Sequence, residues 1–105
     1  MTTQAQFFKA LGDARRLRIA GALLEGELDA GQLAAVAGRD SSTVSRHLRV
    51  LVEAGILRRR RDGRRVIYSV TSAEMAGRLR RMGVSPPVGQ PELEDRIRGF
   101  LEGQS

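Results

Sequence analysis

The chain has 105 residues, 41% of them hydrophobic and 29% charged, with a formal net charge of +6. Those proportions describe one globular domain around a modest core and exclude both a disordered and a membrane-embedded chain. Without cysteine there are no disulfides, thiolate metal sites or thiol redox sensors, and with one histidine, His47, a metal would fall almost wholly to carboxylates.

From the N-terminus, Phe7, Phe8 and Leu11 share one side of a short helix expected over Gln4 to Leu11. Gly12-Asp13 interrupts it. Asp13 caps a second helix whose apolar stripe is Leu17, Ala20, Leu23 and Leu24, with Arg15, Arg16 and Arg18 largely outside it. Glu25-Gly26-Glu27 ends that helix. Asp29 and Gln32 have capping-box spacing and open a third helix with Leu33 and Val36 inward, which Gly38 stops. Asp40 is the expected cap of a fourth helix that runs to about Ala54 and buries Val44, Leu48, Leu51 and Val52. Gly55 closes it, with Ile56 placed for a Schellman contact.

Leu57 to Arg61 and Arg64 to Val70 then flank Asp62-Gly63, a pair suited to a type I′ hairpin, with Val66, Tyr68 and Val70 on one face. Thr71 and Glu74 form another capping box, opening a helix with Met75, Leu79 and Met82 in line. After a loop containing Pro86-Pro87, Pro91 suits the first turn of a last helix bearing Leu93, Ile97, Phe100 and Leu101. The fold class is mainly α with a two-stranded β-hairpin wing, a winged helix-turn-helix. It is a single domain over 1–105, with the helix-turn-helix at 29–54, the wing at 56–70, and C-terminal helices at 72–82 and 91–102.

Charge points to a partner. Residues 39–65 hold nine arginines against three acids, so about a quarter of the chain carries the whole excess of +6. Such a local field suits a polyanion. The expected outer side of the fourth helix is Ser41, Ser42, Thr43, Ser45, Arg46, His47 and Arg49. Small hydroxyl residues at a helix start approach base edges or phosphates closely, and an arginine one turn on reaches guanine O6 and N7. Alone, that side reads more readily as an ordinary solvated face. The hairpin decides between the two, because Arg58, Arg59, Arg60, Arg61, Arg64 and Arg65 repel one another and offer little inward packing. Double-stranded DNA is therefore the expected partner, with the helix in the major groove and the wing on the flanking backbone or minor groove.

Several residues have plainer readings. His47 fits a neutral imidazole beside the DNA backbone better than a metal ligand, because a metal normally takes more than one nitrogen or sulfur ligand. Asp29 reads as a cap. Glu92, Glu94 and Asp95 complement a helix dipole in a first turn.

The run Phe8-Lys9-Ala10-Leu11-Gly12-Asp13, with Arg16-Leu17-Arg18-Ile19 after it, resembles the N-terminal signature of the ArsR/SmtB family of winged-helix repressors. Ser42-Thr43-Val44-Ser45-Arg46-His47-Leu48, Leu51-Val52-Glu53-Ala54-Gly55-Ile56-Leu57 and the wing from Arg60 to Tyr68 are similar to it as well. The likeness covers about residues 7–70 and implies a homodimer whose reading helix is 41–54 and whose terminal helices make the interface. On that basis Phe7, Phe8, Leu11, Leu79, Met82, Leu93, Ile97 and Phe100 are the expected dimer residues, an aromatic-rich set typical of oligomer contacts, the alternative being that Phe7, Phe8 and Phe100 cap the protomer's own core. The chain departs from the metal-sensing members, for Asp29 and Gly31 stand where those carry a Cys-x-Cys pair, and no metal or other cofactor is expected.

The function expected is a cytoplasmic, sequence-specific transcriptional regulator, a homodimeric repressor on an inverted-repeat operator. Met1 to Gln4 show no secretory pattern, and no separate activation or catalytic domain is expected in so short a chain. A protein-interaction module would want an apolar reader face and little local charge, and a small-ligand or metal sensor would need a pocket or ligand cluster. An enzyme is not expected, since no nucleophile–base pair or phosphate-cradling glycine loop is present.

Overall fold

The computed structural model describes residues 3–38 and 41–87. The expected Asp40 cap and the helix over 91–102, with Leu93, Ile97 and Phe100, lie outside them. The order is α1 (Gln4–Leu11), α2 (Ala14–Leu23), β1 (Leu28–Asp29), α3 (Ala30–Ala37), α4 (Ser41–Glu53), β2 (Leu57–Asp62), β3 (Arg65–Val70) and α5 (Ala73–Arg81). This is the mainly helical domain with a hairpin wing that the sequence predicts.

Short polar side chains start the helices, satisfying N–H groups that have no partner within the helix. Asp13 accepts from the backbone N–H of Arg15 at 2.8 Å and of Arg16 at 3.3 Å. Asp29 and Gln32 form the expected capping box, with bonds of 2.8 and 2.9 Å. Thr3 and Gln6 form a second one at α1, which the sequence reading did not anticipate. At α5 the cap is Ser72, whose hydroxyl accepts from the Met75 N–H at 3.0 Å. The expected Thr71 instead donates to the Gly55 carbonyl at 3.0 Å, one residue out of register with the helix. The Schellman ending of α4 is present: the Ile56 N–H donates to the Leu51 carbonyl at 3.1 Å while Gly55 sits at φ 76°.

The sheet is three-stranded and antiparallel, in the order β1-β3-β2. β1 was not expected, because two residues are too short to show an alternation. Its pairing places Leu28 opposite Tyr68 and Asp29 opposite Ile67, which makes β3 the central strand and buries Ile67 as well as Tyr68. The hairpin turn also differs by one residue. Asp62 pairs with Arg65, so the loop is Gly63-Arg64. Gly63 has φ 62° and no described non-glycine residue has positive φ, a sign pattern that fits type II′ rather than type I′.

The core joins helices and sheet through Ile19, Leu33, Val44, Leu48, Leu51, Ile56, Leu57 and Leu79, all fully buried. Each such side chain contributes about 1.5–3 kcal/mol through removal from water. Some inward expectations shift. Ile19 takes the place expected of Leu17, which is exposed; Phe7 and Leu11 face inward and Phe8 does not. Val36 is only half-buried, with Ala37 inside instead. The amphipathic period is right in all three helices, and packing changes only which residues at the edge of each stripe are buried.

α5 and the segment after it are clamped to α2. Arg80 Nη2 donates to the Leu24 carbonyl at 3.0 Å. The Ser85 backbone lies so close to buried Gly21 that a Cβ there would stand 2.9 Å from the Ser85 carbonyl carbon and closer still to its oxygen. Gly77, in α5, would meet only the flexible end of Arg81. Alanine gains about 0.5–1 kcal/mol over glycine inside a helix, so Gly77→Ala is expected to raise the urea midpoint. Gly21→Ala is expected to lower it by about 1–3 kcal/mol of stability, the overpacking outweighing the propensity gain.

Candidate nucleic-acid interface

α4 carries two stripes at helical spacing. Val44, His47, Leu48 and Leu51 point into the protein, while Ser42, Ser45, Arg46 and Arg49 are exposed on the other side. Thr43 is half-buried between the two, and Ser41 begins the helix. The outer stripe has the chemistry for a DNA groove: hydroxyls toward the N-terminal turn, then two guanidinium groups that make no ion pair among the described residues.

His47 corrects the sequence reading. It was expected on the outer side, yet it is 7% exposed and lies on the inner stripe. The signal was available, since positions 44, 47, 48 and 51 are the spacing of a buried helix face. Arg16 Nη1 stands 3.2 Å from His47 Nδ1. Arginine only donates, so Nδ1 accepts and the neutral ring carries its proton on Nε2, which is buried with no hydrogen-bond partner among the described residues. Burial, first, holds the imidazole pKa below its ordinary value; Asp13 pulls it upward, and the charges of Arg16, Arg15 and Arg46 push it further down. Burial works to raise the Asp13 carboxyl, but the N–H groups of Arg15 and Arg16 outweigh it and leave that pKa lowered. Arg16 and Asp13 were read only as surface and cap; their contacts across the fold carried no sequence signal.

The wing sorts its arginines by face. Arg59 pairs with Tyr68 and Arg61 with Val66, so both project from the side that the helices cover nearer the strand ends. The strands outrun the helices toward the turn, leaving Arg59, Arg61 and the turn residue Arg64 exposed, with no ion pair among the described residues. The opposite side is internally occupied. Arg58 donates to the Ser69 hydroxyl at 3.2 Å, and Arg60 pairs with Glu27 at 2.7 Å and with Asp62 at 3.9 Å. Arg65 gives two donors to Asp29 Oδ2, at 3.2 and 2.8 Å. Asp29 thus caps α3 through one oxygen and holds the wing through the other. The Gln32 N–H and then the Arg65 guanidinium keep its carboxyl below the usual range.

The expected dimer residues divide similarly. Phe7, Leu11 and Leu79 belong to the protomer's own core, and Arg78 stacks over the Phe7 ring at 3.9 Å. They are corrected to core residues. Phe8, 50% exposed, and Met82, 43% exposed, remain as outward apolar groups. The position expected of metal-sensing thiols does not suit a metal here, because Asp29 has both oxygens engaged and Gly31 has no side chain. No described helix is long and apolar enough to cross a membrane.

A helix-turn-helix whose second helix presents a basic, hydroxyl-lined face beside a basic hairpin defines a winged helix-turn-helix domain of the DNA-binding class. Comparison with known proteins narrows this. Residues 13–59 match the family described as bacterial regulatory protein, arsR family. The uncharacterized HTH-type transcriptional regulator Rv0081 of Mycobacterium tuberculosis is 37% identical over 95 residues, 90% of this chain and 81% of that protein. Its crystal structure matches with a TM-score of 0.71 at 32% identity, covering 92% of this chain and 90% of that one. A probable mercury resistance operon repressor of Streptomyces lividans is 39% identical over 74 residues, 70% of this chain and 59% of that protein. The solution structure of the homodimeric winged helix-turn-helix domain of Mb0332 from Mycobacterium bovis, a possible ArsR-family regulator, matches with a TM-score of 0.73 at 31% identity, covering 76% and 74% of the two chains. The chain belongs to the ArsR family, and its fold and relatives are those of DNA-binding transcriptional regulators rather than enzymes.

The buried imidazole gives the domain a pH signature. With its folded-state pKa below the ordinary 6.5, the unfolded chain takes the proton first as pH falls. The stability this adds is complete above about pH 6.5 and declines below it, toward the folded-state value. Urea midpoints of the wild type are expected to drop between about pH 7 and pH 5, and His47→Gln to show a shallower drop; equal slopes would mean that the ring is not held neutral.

Proposed function

We propose that this protein is a homodimeric transcriptional repressor that binds an inverted-repeat operator, with α4 in the major groove and the wing on the flanking backbone or minor groove. The observation that carries the reading is the set of exposed guanidinium groups with no ion pair among the described residues, on two adjacent elements: Arg46 and Arg49 on α4, and Arg59, Arg61 and Arg64 on the wing. Like charges gathered in this way are unfavourable in isolation and favourable against phosphates. α4 is joined to β2 through the tight Gly55 turn, which sets the wing beside the C-terminal end of the reading helix.

Ser42, Ser45, Arg46 and Arg49 are assigned to base edges and nearby phosphates, Ser41 and Thr43 to the phosphate at the helix start, and Arg59, Arg61 and Arg64 to the backbone. Arg60 and Arg65, engaged with Glu27 and Asp29, hold the wing in place more than they contact DNA. Dimerisation draws on exposed Phe8 and Met82, and on the homodimeric state stated for the Mb0332 domain. Two protomers related by a two-fold would set their reading helices roughly 34 Å apart. Repression follows by occlusion of a promoter.

Selection of bound duplexes from a random pool should return an inverted repeat. On that site Arg46→Ala is expected to cost about 1–3 kcal/mol and to relax selectivity at one base pair. Arg61→Ala and Arg64→Ala should weaken specific and random DNA alike and flatten the salt slope by about 0.9 per lost contact. Arg60→Ala should change that slope least of the wing substitutions. An Arg46→Ala variant that lost as much on random DNA as on the operator would remove its base-reading role. Sedimentation showing only monomer at micromolar concentration would contradict the dimer.

A further inference from the structure

One side chain hydrogen-bonds both to the N-terminal helix and to the reading helix. Arg16, near the start of α2, donates from Nε to the Ala10 carbonyl at 2.6 Å and from Nη2 to the Lys9 carbonyl at 3.3 Å, both in the last turn of α1. Its remaining arm reaches His47 Nδ1, at the middle of α4. One planar guanidinium therefore joins α1, α2 and α4, and it does so only with a neutral imidazole, because Nδ1 must accept. The opposite ring nitrogen has no hydrogen-bond partner among the described residues.

We propose that Arg16 and His47 form a positioning clamp that sets the angle of α4 for DNA, and that protonation of His47 opens the clamp and releases DNA. The inference rests on α4 being the reading helix. A proton on Nδ1 would place two cationic donors face to face at the present separation, with nothing between them to accept. The charges that act on the ring are Asp13, which favours its protonation, and Arg16, Arg15 and Arg46, which oppose it; Arg16 touches the ring, and Arg46 acts from the exposed stripe of α4. Three cations stand against one carboxylate, and that carboxylate is already occupied by two backbone N–H groups. The imidazolium would have to leave its place, and α4 would move with it.

The sign of the effect separates this clamp from simple electrostatics. An added positive charge on a DNA-facing domain strengthens attraction to phosphates, so acidification alone should tighten binding. The clamp predicts the reverse: affinity that falls as pH drops from 7.5 to 5.5, by up to about tenfold per pH unit below the imidazole pKa. His47 is the only histidine of the chain, so the loss of affinity should follow the titration of that one ring.

The test is fluorescence anisotropy on the selected operator at constant ionic strength, with the wild type, His47→Gln and Arg16→Met, alongside an NMR titration of the His47 ring. Glutamine keeps an oxygen acceptor for Arg16 and has no proton to gain. His47→Gln is expected to bind within a few-fold of the wild type at pH 7.5 and to lose the acid-induced weakening. Arg16→Met is expected to bind more weakly at pH 7.5, and its His47 is expected to titrate at higher pH than in the wild type. Wild-type affinity that rises or stays level on acidification overturns the clamp without recourse to any variant, as does a pH profile unchanged in a folded His47→Gln. Failure of the wild type to bind any duplex at pH 7.5 would instead strike the reading of α4 itself.

Discussion

The domain depends on one helix serving two environments. α4 is held by Val44, Leu48 and Leu51, each at most 2% exposed, and presents Ser42, Ser45, Arg46 and Arg49 to solvent on its other side. The two stripes are rigidly linked, since a helix cannot rotate one without the other. Every element packed against the inner stripe therefore contributes to where the outer one points. That is why a core of helices and sheet, with no direct contact to a partner, bears on recognition. The same linkage makes the buried His47 consequential: it is a titratable group on the face that sets the helix angle.

Electrostatics in this chain are organised by face as well as by amount. The nine arginines of residues 39–65 look uniform in the sequence, but strand geometry divides those of the wing into two populations. One side meets Glu27, Asp29, Asp62 and Ser69 and is locally balanced. The other, with the turn, is left as open positive charge. Exposed ion pairs contribute little stability one at a time, so the pairing on the first side serves to orient the hairpin more than to stabilise the fold.

Asp29 sits at the junction of these two roles. It caps α3 and anchors the wing, linking the first helix of the helix-turn-helix to the hairpin that follows the second. In metal-sensing relatives of the ArsR/SmtB type the corresponding segment is expected to carry thiols. Here it carries an internal brace, so coupling between α3 and the wing is built into the folded chain.

Much of this architecture was legible in the amino-acid order, because its signals are local. Asp13, the Asp29–Gln32 pair, Gly38 and Gly55 start or stop helices through bonds within one turn, and the arginine concentration needs no structure to count. The rest is non-local. Whether Phe7 or Phe8 faces inward, about 100° apart on one helix, and whether Ile19 or Leu17 completes the stripe of Ala20 and Leu23, depends on which neighbour the helix meets. The strand Leu28–Asp29 exists only because β3 offers it an edge, and the identity of the free wing arginines follows from that pairing. His47 lay on the inward period, but the guanidinium that meets it comes from 31 residues away, a distance that chain folding alone closes.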